Sequence, residues 1–345
     1  MVLKETGSPA GDGCVFAGGA RYNKTGDVLK AKYGTKVYKL ALSSGATCPN
    51  RDGKCGTGGC LFCSPAGSGD FAESGGGSVT EAIDRAAALL KNKLKGCPAP
   101  LFIPYFQDFS ATYAPLAVQR ERFTEAISHP LAAELSVATR PDCLPDEVIE
   151  LLAGLARLKP VTVELGLQTR DDCVAAFMNR GYPSNLFPEA VAKLKAAGIQ
   201  TVGHMIVGLP CPPQYGSSPD GFPLRTQSRD EILDTANFIT ASGADGIKIH
   251  LLHVLEGTPL AEMYKKGLFR TLSLEEYAGL VCDIIEILPE ETVVHRITGD
   301  APKSILLSPH WSADKKKVLN FINREMERRG VVQGSRRSEL MNVQE

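Results

Sequence analysis

The chain has 345 residues, of which 43% are hydrophobic and 22% are charged, and its formal net charge is −1. This composition is typical of a soluble globular protein that is long enough to bury a sizeable core. No apolar run approaches the roughly eighteen residues of a membrane span, and residues 1–20 lack the basic and apolar regions of a secretion signal. We therefore expect a cytoplasmic protein without membrane contacts.

The near-zero charge hides two basic ends. Residues 1–40 and residues 303–345 each carry a net charge of +4, and residues 41–302 carry −9. Basic ends permit binding to a polyanion, although such charged runs are more often simply solvated surfaces.

Short apolar runs along the chain predict seven strands, at residues 37–42, 101–107, 134–138, 161–167, 201–207, 247–252 and 292–297. Amphipathic patterns predict helices at residues 80–95, from 145 onward, and at 188–197, 229–242, 273–288 and 312–329. This alternation favours a parallel sheet with helical crossovers, and the apolar strands indicate that both sheet faces are covered. We predict an α/β fold with a partial (β/α)6-type TIM-like barrel; a doubly wound open sheet is the alternative.

The predicted organisation is an N-terminal extension (residues 1–36), a barrel core (37–300) and a C-terminal basic helix and tail (301–345). Two loops, a Gly-rich one at residues 64–78 and one rich in Pro, Gly and Ser at 209–223, follow predicted strands. In a parallel barrel the loops after the strands carry the chemistry, and loops this long are usually functional or mobile.

The cysteines are unevenly distributed. Without an export signal, ten cysteines do not indicate disulfides, yet Cys48, Cys55, Cys60 and Cys63 fall within sixteen residues after the first predicted strand. A structural zinc site needs four protein ligands, typically two CxxC-like pairs or added histidines, and this segment has a single CxxC pair and no nearby His. A thioredoxin-like pair would need its CxxC at the start of a helix.

An iron–sulfur cluster held by thiolates is the third interpretation of the cysteine segment. Three cysteines would leave one iron of a four-iron cluster open to a substrate or cofactor. The spacing alone does not decide which three of the four cysteines are ligands.

Further motifs follow the later predicted strands. They are Pro104–Pro115 (PYFQDFSATYAP), Ala138–Asp142 (ATRPD), Glu164–Thr169 (ELGLQT), Asn179–Gly181 (NRG), Gly208–Pro210 (GLP), Leu252–Leu260 and His295–Arg296. Together with the cysteine segment, this series resembles radical S-adenosylmethionine (SAM) enzymes of the YhcC/YtqA-like branch, which is related to the radical SAM half of the elongator catalytic subunit. The resemblance covers roughly residues 20–325 in the expected order, with Tyr182 where the branch usually has His.

The resemblance implies a partial barrel of the radical SAM kind and a [4Fe-4S] cluster held by Cys48, Cys60 and Cys63, with Cys55 outside the motif. It implies that S-adenosyl-L-methionine binds the open iron and is cleaved to a 5′-deoxyadenosyl radical, which abstracts hydrogen from a substrate. A flavodoxin or ferredoxin would supply the electron. The elongator relationship implies a tRNA wobble uridine as substrate, and no catalytic residue is assigned.

The same resemblance implies contacts to the SAM molecule. Gln168 would bind the ribose hydroxyls, and Arg180 would clamp the methionyl carboxylate. Gln107 and Thr139, both at strand ends and expected to face the barrel mouth, would contact the amino group or the sulfonium region, and His253 would lie near them. The alternatives are a polar loop residue for Gln168 and a surface ion pair for Arg180.

Two further histidines fall on predicted strands. A lone histidine on a strand, such as His204, is more often a core residue with its hydrogen bonds satisfied than a ligand. His250 could face the barrel mouth instead of His253. The branch's relatives often have a Glu near position 138, where this chain has Ala.

A rival function is a non-catalytic RNA-binding protein that uses its cysteines to hold zinc. The basic helix predicted at residues 312–329 could contact phosphates or close the bottom of the barrel.

Overall fold

The structure of the chain is a computed structural model that describes residues 16–94, 97 and 99–337. Seven parallel strands form one curved sheet: β1 (Val37–Leu42), β2 (Leu101–Phe106), β3 (Leu135–Thr139), β4 (Val161–Gln168), β5 (Gln200–Val207), β6 (Gly246–Leu251) and β8 (Val293–Arg296). They are ordered β1-β2-β3-β4-β5-β6-β8. Two short antiparallel strands, β7 (Val254–Leu255) and β9 (Leu306–Ser308), form a separate ribbon. The predicted partial barrel is confirmed, with a seventh parallel strand beyond the six-unit pattern.

The described residues contain ten α-helices, of which the first precedes the first strand and the last follows the last strand. They are α1 (Thr25–Tyr33), α2 (Val79–Leu89), α3 (Leu116–Ser128), α4 (Asp146–Ala156), α5 (Asp172–Phe177), α6 (Leu186–Ala196), α7 (Arg229–Ala241), α8 (Pro259–Lys265), α9 (Leu274–Ile287) and α10 (Lys315–Arg329). Three of them, α2, α7 and α9, begin with a Ser and Glu capping box, which satisfies the free amides of the first turn. The helix predicted at residues 80–95 ends at Leu89, and residues 95 and 96 lie outside the described part.

The two faces of the sheet differ in chemistry. Alternate strand residues such as Val163 and Leu165 are fully buried against the helices, because successive side chains of a strand point to opposite faces. The intervening residues face the inside of the barrel and include Lys39, Glu164 and Lys248. The side of the sheet that faces the helices is apolar and covered, as expected, but the expectation of apolar strands is wrong for the inner face.

The first helix joins the two edge strands of the open barrel. Helix α1 contacts both β1 and β8, and just before it the carbonyl of Asn23 accepts a hydrogen bond from the amide of Val294 at 2.8 Å. At its other end Lys32 (2.6 Å) and the Tyr33 hydroxyl (2.8 Å) donate to Glu134, directly before β3. Helix α1 therefore lies at the end of the barrel where the strands begin, opposite the predicted site.

The C-terminal helix packs on the outside of the barrel. The side chains of Val318, Ile322 and Met326 are buried, as the predicted amphipathic face requires, and α10 contacts α9. The boundaries at 36/37 and 300/301 stay predictions, and residues 1–15 and 338–345 lie outside the described part of the chain. In that part no helix is long and apolar enough to cross a membrane.

Candidate metal and cofactor site

The cysteine segment forms a loop at the edge of the sheet where the parallel strands end. It turns back on itself through hydrogen bonds from the amide of Gly59 to the carbonyl of Asn50 (2.8 Å) and from the amide of Cys63 to that of Cys60 (3.0 Å). Gly59 has a φ of +78°, which a residue with a side chain adopts only with strain. The sequence folds as a tight loop here because glycines stand at its turns.

Hydrogen bonds to the segment Asn179–Gly181 hold this loop against the barrel. The Asn179 side chain donates to the carbonyl of Gly59 at 2.7 Å, and the carbonyl of Asn179 accepts a bond from the Asn50 side chain. Gly181 has a φ of +79°, and a Cβ there would lie 2.9 Å from Asn50 Oδ1. The amide of Leu61 also donates to the carbonyl of Met178 at 3.0 Å. The motif therefore positions the cysteine loop.

Three cysteines of the loop share one environment. Burial raises the pKa of Cys60 to about 12, and the nearby Cys63 and Cys48 add to the shift. Burial also raises the pKa of Cys63, with Cys48 contributing. Three thiols close enough to affect one another's ionisation are a suitable donor set for iron, because iron–sulfur clusters are held by thiolates.

Cationic and amide groups surround the same sulfurs. A guanidinium nitrogen of Arg140 lies 3.8 Å from the Cys48 sulfur, and the Asn50 amide lies 3.9 Å from the Cys60 sulfur. The charge of Arg51 opposes the rise in the pKa of Cys63. Arg140 and Asn50 oppose the rise in the pKa of Cys60 in the same way, so these groups favour the thiolate form of Cys60 and Cys63 that a metal requires. The residues present therefore fit an iron–sulfur cluster.

No group of three or more His, Cys, Asp or Glu side chains among residues 16–94, 97 and 99–337 is arranged to hold a single metal ion. Cys55, the fourth cysteine of the segment, is exposed, and its sulfur lies 3.9 Å from a carboxylate oxygen of Asp142. It lines a cavity of about 680 Å³ on the outer side of the loop.

Arg140 links the cysteine loop to two neighbouring segments. It forms a two-pronged ion pair with Asp142 at 2.8 and 2.7 Å, and it donates to the carbonyl of Arg180 at 3.0 Å. Its guanidinium also stacks 4.7 Å from the ring centre of Tyr182. Arg140 belongs to the motif Ala138–Asp142, but its sequence neighbours predict no role for it, because its position between β3 and the cysteines emerges only from the fold.

Two of the predicted SAM contacts lie at the mouth of the barrel. Gln168 ends β4 with a φ of +64°, a conformation that is uncommon for a residue with a side chain and concentrates at functional sites. Gln107, directly after β2, donates to the carbonyl of Ser68 at 2.8 Å and so holds the long loop 64–78. Both side chains are only partly buried, and their roles toward SAM stay predictions.

Thr139 and Arg180 are already engaged within the protein. Thr139 follows Leu135 and Val137 on the helix-facing side of β3 and contacts the hydroxyl of Thr112 at 2.6 Å, so the expectation that it faces the mouth is wrong. Arg180 is 1% exposed and is not a surface residue. All its guanidinium nitrogens donate within the protein, to four carbonyl and hydroxyl groups and to one carboxylate, those of Leu167, Thr169, Tyr182, Ser184 and Asp172. Its predicted role toward the carboxylate of SAM stays a prediction.

The histidines lie further inside the barrel than Gln168 and Gln107. Nε2 of His204 is 2.7 Å from a carboxylate oxygen of Glu164, so this half-buried histidine has a hydrogen-bond partner within the protein, as expected. Burial lowers the pKa of His204 and that of His253 to about 4. The Nε2 atoms of His250 and His253 are buried without a hydrogen-bond partner. Glu164 is a site residue that was not predicted from the sequence, although a charged residue between the apolar neighbours Val163 and Leu165 is a visible signal.

Comparison with known proteins gives three kinds of match. Residues 244–328 match the family model of the Radical_SAM C-terminal domain. The chain is 42% identical to the uncharacterized protein YtqA of Bacillus subtilis, over 91% of this chain and 92% of YtqA. It is 33% identical to protein YhcC of Escherichia coli, over 91% of this chain and 94% of YhcC.

More distant matches are partial. The chain is 27% identical to a tRNA uridine(34) acetyltransferase of Methanocaldococcus jannaschii, over 62% of this chain and 36% of that protein. The solved structure of Elp3 from Methanocaldococcus infernus, with residues 1–46 deleted, superposes with a TM-score of 0.60 at 19% identity. That match covers 86% of this chain and 64% of the Elp3 chain, so it shows the shared fold. With near-full-length relatives and this half-barrel, the chain belongs to the radical SAM superfamily, in the family of YtqA and YhcC.

Proposed function

We propose that this protein is a radical SAM enzyme that acts on the side chain of a tRNA wobble uridine. Cys48, Cys60 and Cys63 hold a [4Fe-4S] cluster, and Cys55 does not. The observation that carries the proposal is the convergence of three half-buried cysteines, flanked by Arg51 and Arg140, at the mouth of a half-barrel. When bound, the cluster supplies the electron for cleavage of SAM.

The chain's own residues bind, orient and shield. Asn50, Asn179 and Arg140 hold the cysteine loop in place, and Gln168 presents its amide at the mouth, where it can bind ribose hydroxyls. The loop at 64–78 stands beside the mouth, tied to Gln107, and excludes water from the reacting radical. A flavodoxin or ferredoxin is the proposed reductant.

Two features support tRNA as the substrate. One relative acts on uridine 34 of tRNA by its name, although this chain spans only 36% of that relative. Helix α10 carries an exposed face with Lys316, Lys317 and Arg324 beside a shallow pocket, which suits phosphate contacts. The shared core and the basic helix together favour an RNA substrate over a small molecule.

The cluster is tested by anaerobic reconstitution of the full chain, followed by iron, sulfide and zinc analysis. Wild-type protein should be brown, hold four irons, and cleave SAM when reduced. Replacing Cys48, Cys60 or Cys63 with Ala should abolish iron binding, and Cys55→Ala is the matched control that should retain it. Colourless protein with stoichiometric zinc would instead support the rival zinc-dependent RNA-binding function, which the family assignment does not favour.

The substrate is tested by mass spectrometry of tRNA nucleosides from a strain that lacks the gene. A wobble-uridine nucleoside should disappear and its precursor accumulate, and expression of wild-type protein, but not of Cys60→Ala, should restore it. Unchanged tRNA nucleosides in the deletion strain would refute the tRNA part and leave the radical chemistry standing.

A further inference from the structure

Polar side chains from several strands meet inside the barrel, around Glu164. We refer to Lys39, Tyr105, Glu164, His204 and Lys248 as the interior cluster. Glu164 is fully buried and accepts hydrogen bonds from Lys39 and Lys248, with His204 2.7 Å away. These residues lie on β1, β2, β4, β5 and β6, so only the curvature of the sheet brings them together.

The interior cluster has more positive than negative charge. Two lysines share the single carboxylate of Glu164. Arg296, which also acts on Lys248 electrostatically, has its own partner in Asp300 at 3.6 Å. Burial lowers the pKa of Lys248 to about 7, and the charges of Lys39 and Arg296 contribute. A buried cation without full compensation is costly, so the single carboxylate of Glu164 does not fully compensate the two lysines, and a second anion would stabilise the charged form of Lys248.

Hydrogen-bonding capacity is also left over beside the cluster. Nε2 of His250 and Nδ1 of His295 are buried and have no partner, whereas buried polar atoms in proteins are nearly always bonded. The ring of His250 lies 5.2 Å from that of His204, centre to centre. The hydroxyl of Tyr105 accepts from Lys248 at 3.2 Å and is itself hydrogen-bonded to Glu164, so it adds no free donor.

Two residues of the interior cluster are partly exposed, and the others are buried. The side chain of Lys39 is 25% exposed and that of His204 is 16% exposed, whereas Glu164 beneath them is not exposed. Two lysines around one carboxylate, histidine nitrogens without partners and partial access occur together at one place. This combination is expected where a negatively charged group with several acceptor oxygens is to be bound.

We propose that the interior cluster is a binding site for a carboxylate or phosphate group of the substrate, held by Lys39, Lys248 and His250. The inference rests on the proposed function only in taking the anion to be part of the substrate, because none of these residues belongs to the cysteine loop. Glu164 then holds the two lysines in place when no anion is bound.

The test uses full-length protein without iron and measures binding of acetate and of inorganic phosphate by calorimetry at constant ionic strength. Wild-type protein should bind at least one of them, and the preference between them identifies a carboxylate or a phosphate. Lys248→Met should weaken binding at least about tenfold, the loss expected for one charged hydrogen bond. Lys193→Met is the matched control, because Lys193 is an exposed lysine paired with Asp146 at 3.2 Å, and it should bind like wild type.

Glu164→Gln should change affinity in the opposite direction. Removing the internal carboxylate releases both lysines for the ligand, so this variant should bind the anion several-fold more tightly than wild type. A purely structural role for the cluster would make both substitutions weaken binding or leave it unchanged. The opposite signs keep the proposal testable even if Lys248→Met fails to fold.

Three results would overturn the proposal. They are the absence of binding in both wild type and Glu164→Gln, an unchanged affinity in Lys248→Met, and displacement of the anion by SAM in reconstituted protein, which would assign the site to the carboxylate of SAM. Failure of the proposed function is seen separately, as loss of iron binding or of SAM cleavage, because the anion titration needs neither.

Discussion

Arg180 offers a sharp test of how the site is built. Its guanidinium supplies hydrogen bonds to the carbonyls of Leu167 and Thr169 at 2.8 and 2.7 Å, on either side of Gln168, and to the carbonyl of Tyr182. Arg180→Met keeps the apolar stem but leaves these buried acceptors unpaired. Each lost bond to a charged donor costs about 1.5–3 kcal/mol and the losses overlap, so we expect about 3–5 kcal/mol in total.

The assay is urea unfolding of protein without iron, because the expected effect needs no cofactor. A loss of this size is a large part of the roughly 5–15 kcal/mol that stabilises a typical domain. Arg170→Met is the control, since Arg170 forms an exposed ion pair with Asp234 at 2.8 Å and should change stability by less than about 1 kcal/mol. An unchanged unfolding midpoint in Arg180→Met, with SAM binding lost after reconstitution, would refute this reasoning and make Arg180 the clamp of the carboxylate.

Three further results are expected. The pKa of His204 and of His253 is about 4 in the folded protein and near 6.5 when unfolded, so between these pH values the folded state binds fewer protons than the unfolded state. The free energy of unfolding should therefore fall by about 1.4 kcal/mol per histidine for each pH unit from 6.5 toward 4. Equal urea midpoints at pH 7.5 and 5.5 would contradict this. Replacing Lys316 and Lys317 with Glu should weaken tRNA binding and reduce the slope of log affinity against log salt by roughly two; an unchanged slope in fluorescence anisotropy would remove α10 from the interface. Gln107→Ala should speed amide exchange in residues 66–70 up to about tenfold, measured by mass spectrometry, and unchanged exchange would mean that its bond to Ser68 does not hold the loop.

The strands could be predicted from sequence because, in the central strands β2 to β6, alternate residues are buried against the helices. Those positions are apolar regardless of what the inner face carries, so the runs are visible even where Glu164 interrupts them. Helix α1 shows the opposite case, since of its residues only Leu29 is buried. Its place is set by bonds to Val294 and Glu134, which lie far along the chain, and it leaves almost no hydrophobic period to detect.

The site also has residues that could be predicted from the sequence and residues that could not. The cysteines could be found because ligands on one loop lie close in sequence. The interior cluster could not, because Lys39, Glu164 and Lys248 lie on three separate strands and each alone resembles an ordinary polar residue. Arg180 shows a third limit: a motif predicts that an arginine matters, but only its bonding partners show that its donors are already engaged.

The fastening of the cysteine loop by Asn179 has a consequence for protein engineering. Asn50, Gly59 and Leu61 are all bonded to Met178 or Asn179, and the amide of Leu260 donates to the carbonyl of Leu61. A transplant of residues 48–63 into another barrel would lose each of these anchors, and the cysteines would no longer be held in a fixed arrangement. The smallest portable unit is therefore discontinuous: the loop, the turn at 178–181 and the start of α8 must move together.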